Sequence, residues 1–119
     1  MSFTHPEYLV ETDWLADHLD DPRVRVLDVT AMLTRDLHNR AREAWFDQGH
    51  IPGSVFFDVA SGQGALSDPE ASLPWMWPSA RQFEAVMGEV GVANDTRVVL
   101  VARTPREGLD SGTMWCTRA

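Results

Sequence analysis

Apolar and polar positions change spacing several times along this chain of 119 residues, and each change marks an element. Leu9-Val10 reads as a short strand. Thr12 then caps a helix that carries Trp14, Leu15 and Leu19 on one face until Asp20-Asp21-Pro22 stops it. Val24-Arg25-Val26-Leu27-Asp28-Val29 is β-branched and apolar enough for a strand buried on both faces. Residues 30–48 are polar, contain Arg35, Arg40 and Arg42, and read as loop with a helical turn around 41–45. Pro52 and Gly53 suit the two central positions of a type II turn, which feeds Ser54-Val55-Phe56-Phe57 as a second core strand. The stretch 58–78 is broken by Gly62, Gly64, Pro69 and Pro74 and ends in Trp75-Met76-Trp77-Pro78. It reads as a long surface excursion of the kind that serves a site or an interface. Ser79 and Gln82 form a capping-box pattern, Phe83, Val86, Met87 and Val90 repeat at helical spacing, and Gly91 stands where that helix should stop. Arg97-Val98-Val99-Leu100-Val101 is the third strand. A loop over 102–110 with Arg103 and Arg106 follows, then Ser111 as the cap of a helix beginning Gly112-Thr113-Met114-Trp115.

Strands alternating with helical segments imply an α/β fold with a mainly parallel sheet flanked by helices, in one domain over 1–119. The sequence ends about two turns into its last helix, too little to cover a parallel sheet. The expectation is therefore a domain incomplete at its C-terminus, truncated in its last helices and marginal in stability.

Charge narrows the function classes. A formal net charge of -8 argues against a nucleic-acid partner, and the absence of lysine removes Schiff-base chemistry and the P-loop lysine. No apolar run approaches the roughly 20 residues of a membrane span, and the first residues lack a secretory pattern. The single cysteine, Cys116, cannot make an internal disulfide, and His5, His18 and His38 lack metal-ligand spacing. These features predict a cytoplasmic protein without a membrane span or a metal site.

The segment Phe46-Asp47-Gln48-Gly49-His50-Ile51-Pro52-Gly53-Ser54-Val55-Phe56-Phe57 resembles the rhodanese family of sulfurtransferases. In that family an aromatic residue precedes His-Ile-Pro-Gly-Ala and an apolar strand; here Ser54 replaces the alanine. The likeness extends over Val24-Arg25-Val26-Leu27-Asp28, the helix from Phe83 to Gly91, and Asn94-Asp95-Thr96-Arg97-Val98-Val99. It implies a three-layer rhodanese-like domain, of the kind found as the N-terminal half of tandem enzymes acting on thiosulfate or 3-mercaptopyruvate. His50, Pro52 and Gly53 are read as structural: proline fixes one corner, glycine accepts a positive φ, and the histidine bonds the turn backbone.

Rhodanese chemistry runs through a cysteine that takes sulfane sulfur as a persulfide. The family places it directly after the third strand, where loop amides and a helix N-terminus would stabilise the thiolate. The matching position here is Ala102 or Arg103, so no residue of this chain is assigned as catalytic. Cys116, beside Met114 and Trp115, reads as a packing residue. The resemblance implies a catalytic C-terminal rhodanese domain as partner, which would bind the small anionic sulfur donor. Met114 and Trp115 match positions on its pocket wall, with core packing as the plain alternative. Trp75 and Trp77 are candidates for packing on that domain. The competing reading is a stand-alone rhodanese-like binding or regulatory module without catalysis.

Overall fold

The computed structural model describes residues 4–103 and, for the backbone alone, 114–118. Its elements are α1 (Thr12–His18), β1 (Val24–Asp28), α2 (Ala41–Ala44), β2 (Val55–Phe56), α3 (Ala80–Glu89), β3 (Arg97–Arg103) and β4 (Met114–Arg118). They form one four-stranded sheet in the order β2-β1-β3-β4. The first three strands are parallel, with Leu27 opposite both Val55 and Leu100, so the expected α/β architecture is present. Main-chain bonds from Phe57 to Asp28 and from Val29 to Val101, both 2.8 Å, carry the pairing past the strand ends.

Alternation along β1 and β3 divides the sheet into two faces. Leu15, Val26, Val99 and Val101 form the buried cluster on one face, with Trp14, Leu19, Val24 and Ile51 packed around them. Helix α1 supplies Leu15 because its first turn closes from Leu15 N–H to the Glu11 carbonyl. Glu11 thus takes the cap position, and Thr12, expected as the cap, is the first helical residue. Leu9-Val10 belongs to no named strand; a 3-10 turn over Pro6–Tyr8 precedes it.

Helix α3 has the termini its sequence announces. Ser79 accepts a bond from Gln82 N–H at 3.1 Å, and Gly91 and Val92 donate to Gly88 and Met87 in a Schellman-type stop. The Gln82 side chain does not complete a capping box. It donates instead to the Ser67 carbonyl at 2.8 Å and so ties the helix to the 58–78 excursion. None of the helix's side chains is buried, and Phe83 remains 47% exposed. The apolar stripe is real, but none of its side chains is buried in a closed layer.

Gly91 has φ +83, and a Cβ there would come within 2.7 Å of the Arg25 guanidinium. Arg25 cannot yield easily, because its Nε is buried beneath this turn. Gly91→Ala is expected to cost about 1–2 kcal/mol, read as a lower urea midpoint at unchanged slope.

The last element corrects the sequence reading. Met114 and Trp115 do not open a helix: they begin β4, antiparallel to β3, with Met114 opposite Arg103, Trp115 opposite Ala102 and Cys116 opposite Val101. A Met-Trp-Cys-Thr run carries aromatic and β-branched residues that suit a strand, and the open edge of β3 offers it a full ladder of backbone partners. The loop expected over 102–110 is corrected at its start, since Ala102 and Arg103 continue β3; the rest of that loop and the expected Ser111 cap lie outside the described residues.

Candidate functional site

The chain runs from β1 outward to β2 and then crosses back to β3 on the other side of β1. A reversal of this kind opens a crevice at the carboxyl ends of the two strands that flank it, the usual place for a site on an open parallel sheet. The polar residues of this molecule converge there. Thr30, just beyond β1, is only 3% exposed. Its hydroxyl donates to Asp28 Oδ1 at 2.6 Å and accepts the Arg103 N–H at 3.0 Å, which ties the end of β3 to the end of β1.

Asn39 joins this clamp to the next strand. Its Oδ1 accepts from Met32 N–H at 2.9 Å and Ala41 N–H at 3.1 Å, while Nδ2 donates to the Thr30 carbonyl at 3.2 Å and to Asp58 Oδ1 at 3.0 Å. All four bonds open to a primary amide are made. Asp58, two residues past β2, also accepts the N–H groups of Ala60 and Ser61. Burial pushes the Asp58 carboxyl up, but the bonds from Asn39, Ser61 and Ala60 outweigh it and hold the group below the usual carboxylate range. Asp58 therefore carries a settled negative charge and has no proton to lend at neutral pH.

Arg103 closes β3 where the sequence comparison seeks a thiol. Its guanidinium carbon stands 3.9 Å from the centre of the Trp45 ring, a cation–π contact. The Trp45 Nε1–H is buried without a partner among the described residues, a state that costs about 1–3 kcal/mol.

The motif residues His50, Pro52 and Gly53 lie at the corner that leads into β2. His50 donates from Nδ1 to the Phe46 carbonyl at 2.8 Å and stacks on the Phe46 ring at 3.8 Å. Gly53 has φ 78, and Ser54 N–H bonds the Ile51 carbonyl at 3.0 Å across the Pro52-Gly53 corner. Ser54 adds a bond that alanine would lack, from its hydroxyl to the same carbonyl at 2.6 Å. Met114 and Trp115 lie on β4 beside Ala102 and Arg103, so their backbone borders the same strand end. Sequence reasoning missed Thr30, Asn39, Asp58 and Ser61. The available signal was a short polar side chain placed just after each of the first two strands.

A cleft of about 840 Å³ lies between residues 36–38 and the excursion, lined by Asp36, His38, Gln63, Asp68 and Leu73 among others. Its lining includes carboxylates and no arginine, which disfavours an anionic sulfur donor. Among the described residues no three His, Cys, Asp or Glu side chains are grouped to hold a metal ion, and no helix is long and apolar enough to cross a membrane.

Comparison with known proteins gives this geometry a family. The profile of the rhodanese-like domain matches residues 11–116. The chain is 39% identical over 94 residues to 3-mercaptopyruvate sulfurtransferase of Escherichia coli K12, covering 78% of itself and 31% of that enzyme. It is 38% identical over 100 residues to the sulfur carrier protein TtuD of Thermus thermophilus, covering 84% of itself and 30% of that protein. To rat thiosulfate sulfurtransferase it is 31% identical over 114 residues, covering 92% of itself and 34% of the enzyme. Among solved structures it matches SseA from Escherichia coli, described as a 3-mercaptopyruvate sulfotransferase with the rhodanese fold. The TM-score is 0.64 at 38% identity, over 80% of this chain and 34% of that one. The chain thus spans about a third of the length of these relatives. The matched span, the parallel sheet and the His50–Gly53 corner agree: this chain belongs to the rhodanese-like family, as a domain homologous to 3-mercaptopyruvate sulfurtransferase.

Proposed function

We propose that this chain is the non-catalytic, N-terminal rhodanese domain of a tandem sulfurtransferase, working beside a C-terminal domain that carries the cysteine. In the reaction, a thiolate of that second domain attacks the outer sulfur of thiosulfate, breaking its S–S bond and releasing sulfite, or the thiol sulfur of 3-mercaptopyruvate, breaking its C–S bond and leaving an enolate that takes up a proton to give pyruvate. The resulting persulfide then passes its outer sulfur to cyanide or a thiol, and the thiolate returns. The observation that carries the reading is Arg103 at the carboxyl end of β3, with its backbone bound to Thr30 and its side chain on Trp45. Neither Ala102 nor Arg103 carries a thiol, and the backbone of Cys116, the one cysteine of the sequence, pairs opposite Val101 on the edge strand β4.

Two features support a docking role. Leu73, Trp77 and Phe83 are exposed, Trp77 to 89%, which is more apolar surface than a strap and one helix usually leave in water. The alignment with about a third of each relative also fits one domain of a longer enzyme. The backbone of Met114 and Trp115 lies at the strand end where a pocket shared with a second domain would form. A cytoplasmic location, where a lone thiol stays reduced, fits this reading.

The test is turnover by the chain itself. Supplied with thiosulfate or mercaptopyruvate and cyanide, it is expected to make no thiocyanate above background and to gain no sulfur by intact mass. A sulfur adduct on Cys116, with thiocyanate production lost in Cys116→Ser, would overturn the proposal.

A further inference from the structure

The cleft between residues 36–38 and the excursion has no part in the sulfur chemistry above, yet its walls are held at conformational cost. Its volume of about 840 Å³ is that of a small-molecule site. Two non-glycine residues with positive φ belong to these walls, Leu37 at 62° and Trp75, directly after Pro74, at 58°. Each is tied down. The Leu37 carbonyl accepts the Gly62 N–H at 3.2 Å, and the Trp75 Nε1–H donates to the Ala60 carbonyl at 2.8 Å. Gly62 lets the two walls approach, since a Cβ there would lie 3.0 Å from Leu37 Cδ1 and 3.2 Å from Pro74 Cβ. Bonds from Asp68 N–H to the Met76 carbonyl and from the Gln82 side chain to the Ser67 carbonyl brace the excursion. Strain that is kept and braced in this way points to a shape retained for binding.

We propose that this cleft binds a linear aliphatic diamine, with one ammonium group at Asp36, the other at Asp68 and the methylene chain between them. The two carboxylates belong to opposite walls, Asp36 to the 36–38 segment and Asp68 to the excursion. A hydrogen bond from the Thr34 hydroxyl holds the Asp36 carboxyl below its usual range, so its charge is present at neutral pH. The donation from Gln82 Nε2 to Ser67 fixes that amide and leaves its Oε1 as a further acceptor. Leu37, Leu73 and Pro74 supply apolar surface for the methylenes. Among the lining residues only His38 can become positive, and its Nε2 lies 3.1 Å from Glu43 Oε1. The net charge of -8 draws cations to the whole protein, so selectivity comes from spacing rather than from charge alone. One exposed ion pair is weak; two made by a single ligand reinforce each other, and a monoamine can make only one. This inference concerns the chain alone and does not depend on a second domain.

The experiment is an ¹H–¹⁵N titration of the whole chain with putrescine at low ionic strength. Butylamine, and sodium chloride at matched ionic strength, are the controls. Expected are saturable shifts of the Gly62 and Gly64 amides and of the Gln82 side-chain amide, with putrescine bound about tenfold more tightly than butylamine. Asp36→Asn and Asp68→Asn should each weaken putrescine about tenfold, to the level of butylamine. Both keep an oxygen to accept the Thr34 hydroxyl or the Glu70 N–H, so the walls should stand. Asp13→Asn removes the same charge from α1, outside the cleft, and should change the affinity less than about twofold. Equal affinity for putrescine and butylamine, or shifts reproduced by sodium chloride, would overturn the site. So would a loss in Asp13→Asn equal to that in the cleft variants, or saturable binding retained when Asp36→Asn and Asp68→Asn are combined.

Discussion

Asn39→Asp is expected to destabilise the chain by about 3–5 kcal/mol at neutral pH and by progressively less as the pH falls. The substitution changes one atom of a side chain that is 6% exposed and makes four hydrogen bonds. Both acceptances, from Met32 and Ala41, survive. Both donations are lost, and a second carboxylate is placed against the Thr30 carbonyl and the Asp58 carboxylate. In the parent protein Asp58 is held below its usual range, so it contributes stability above the unfolded carboxylate value near 4. That contribution is lost as the pH drops through the folded value. In the variant two carboxylates share the site, and one binds a proton more tightly than it does in the unfolded chain. The variant therefore gains relative to the parent as the pH falls, and the two curves approach each other in acid. Urea unfolding at pH 7.5 and pH 5 reads this directly. Asn39→Ala is the control, with a loss of about 2–3 kcal/mol and a smaller convergence, because Asp58 loses one donor but meets no second carboxylate. Equal losses at both pH values for Asn39→Asp would show that Asp58 is not its partner.

The contrast between what was legible in the sequence and what was not follows the reach of each interaction. Ser79, Gly91, Pro52 and Gly53 act within four residues of themselves, so the cap, the helix stop and the corner could be read one segment at a time. The three parallel strands were legible because each is a valine-rich or aromatic run long enough to declare itself. Asn39 was not, because its importance comes from Asp58, nineteen positions away in sequence. Residues 114–118 were misread for a similar reason. Their local pattern is compatible with a helix, and only the unpaired edge of β3 decides for a strand. The amphipathic pattern of α3 was read correctly as a helix, but no periodicity says how much of a stripe will be covered.

That last point gives Leu27→Ala and Phe83→Ala sharply different outcomes, although both sit in apolar patterns of the sequence. Leu27 is 2% exposed in the middle of β1, flanked by Val55 on one side and Leu100 on the other. Removing its branched end leaves a void between three strands whose backbones are hydrogen-bonded in register and cannot close on it. The cost should be about 3–4 kcal/mol, a large share of the stability of a domain this size. Phe83 already meets water over nearly half its surface, so its truncation should cost about 0.5–1 kcal/mol. Paired urea melts of the whole chain measure the difference, with Val99→Ala, also fully buried, as a second core probe. A Phe83→Ala loss as large as that of Leu27→Ala would mean that α3 buries its apolar face in solution. The exposed Leu73–Trp77 strap beside it would then be covered by a second copy or another segment, and the loss would grow with protein concentration if that cover is a second copy.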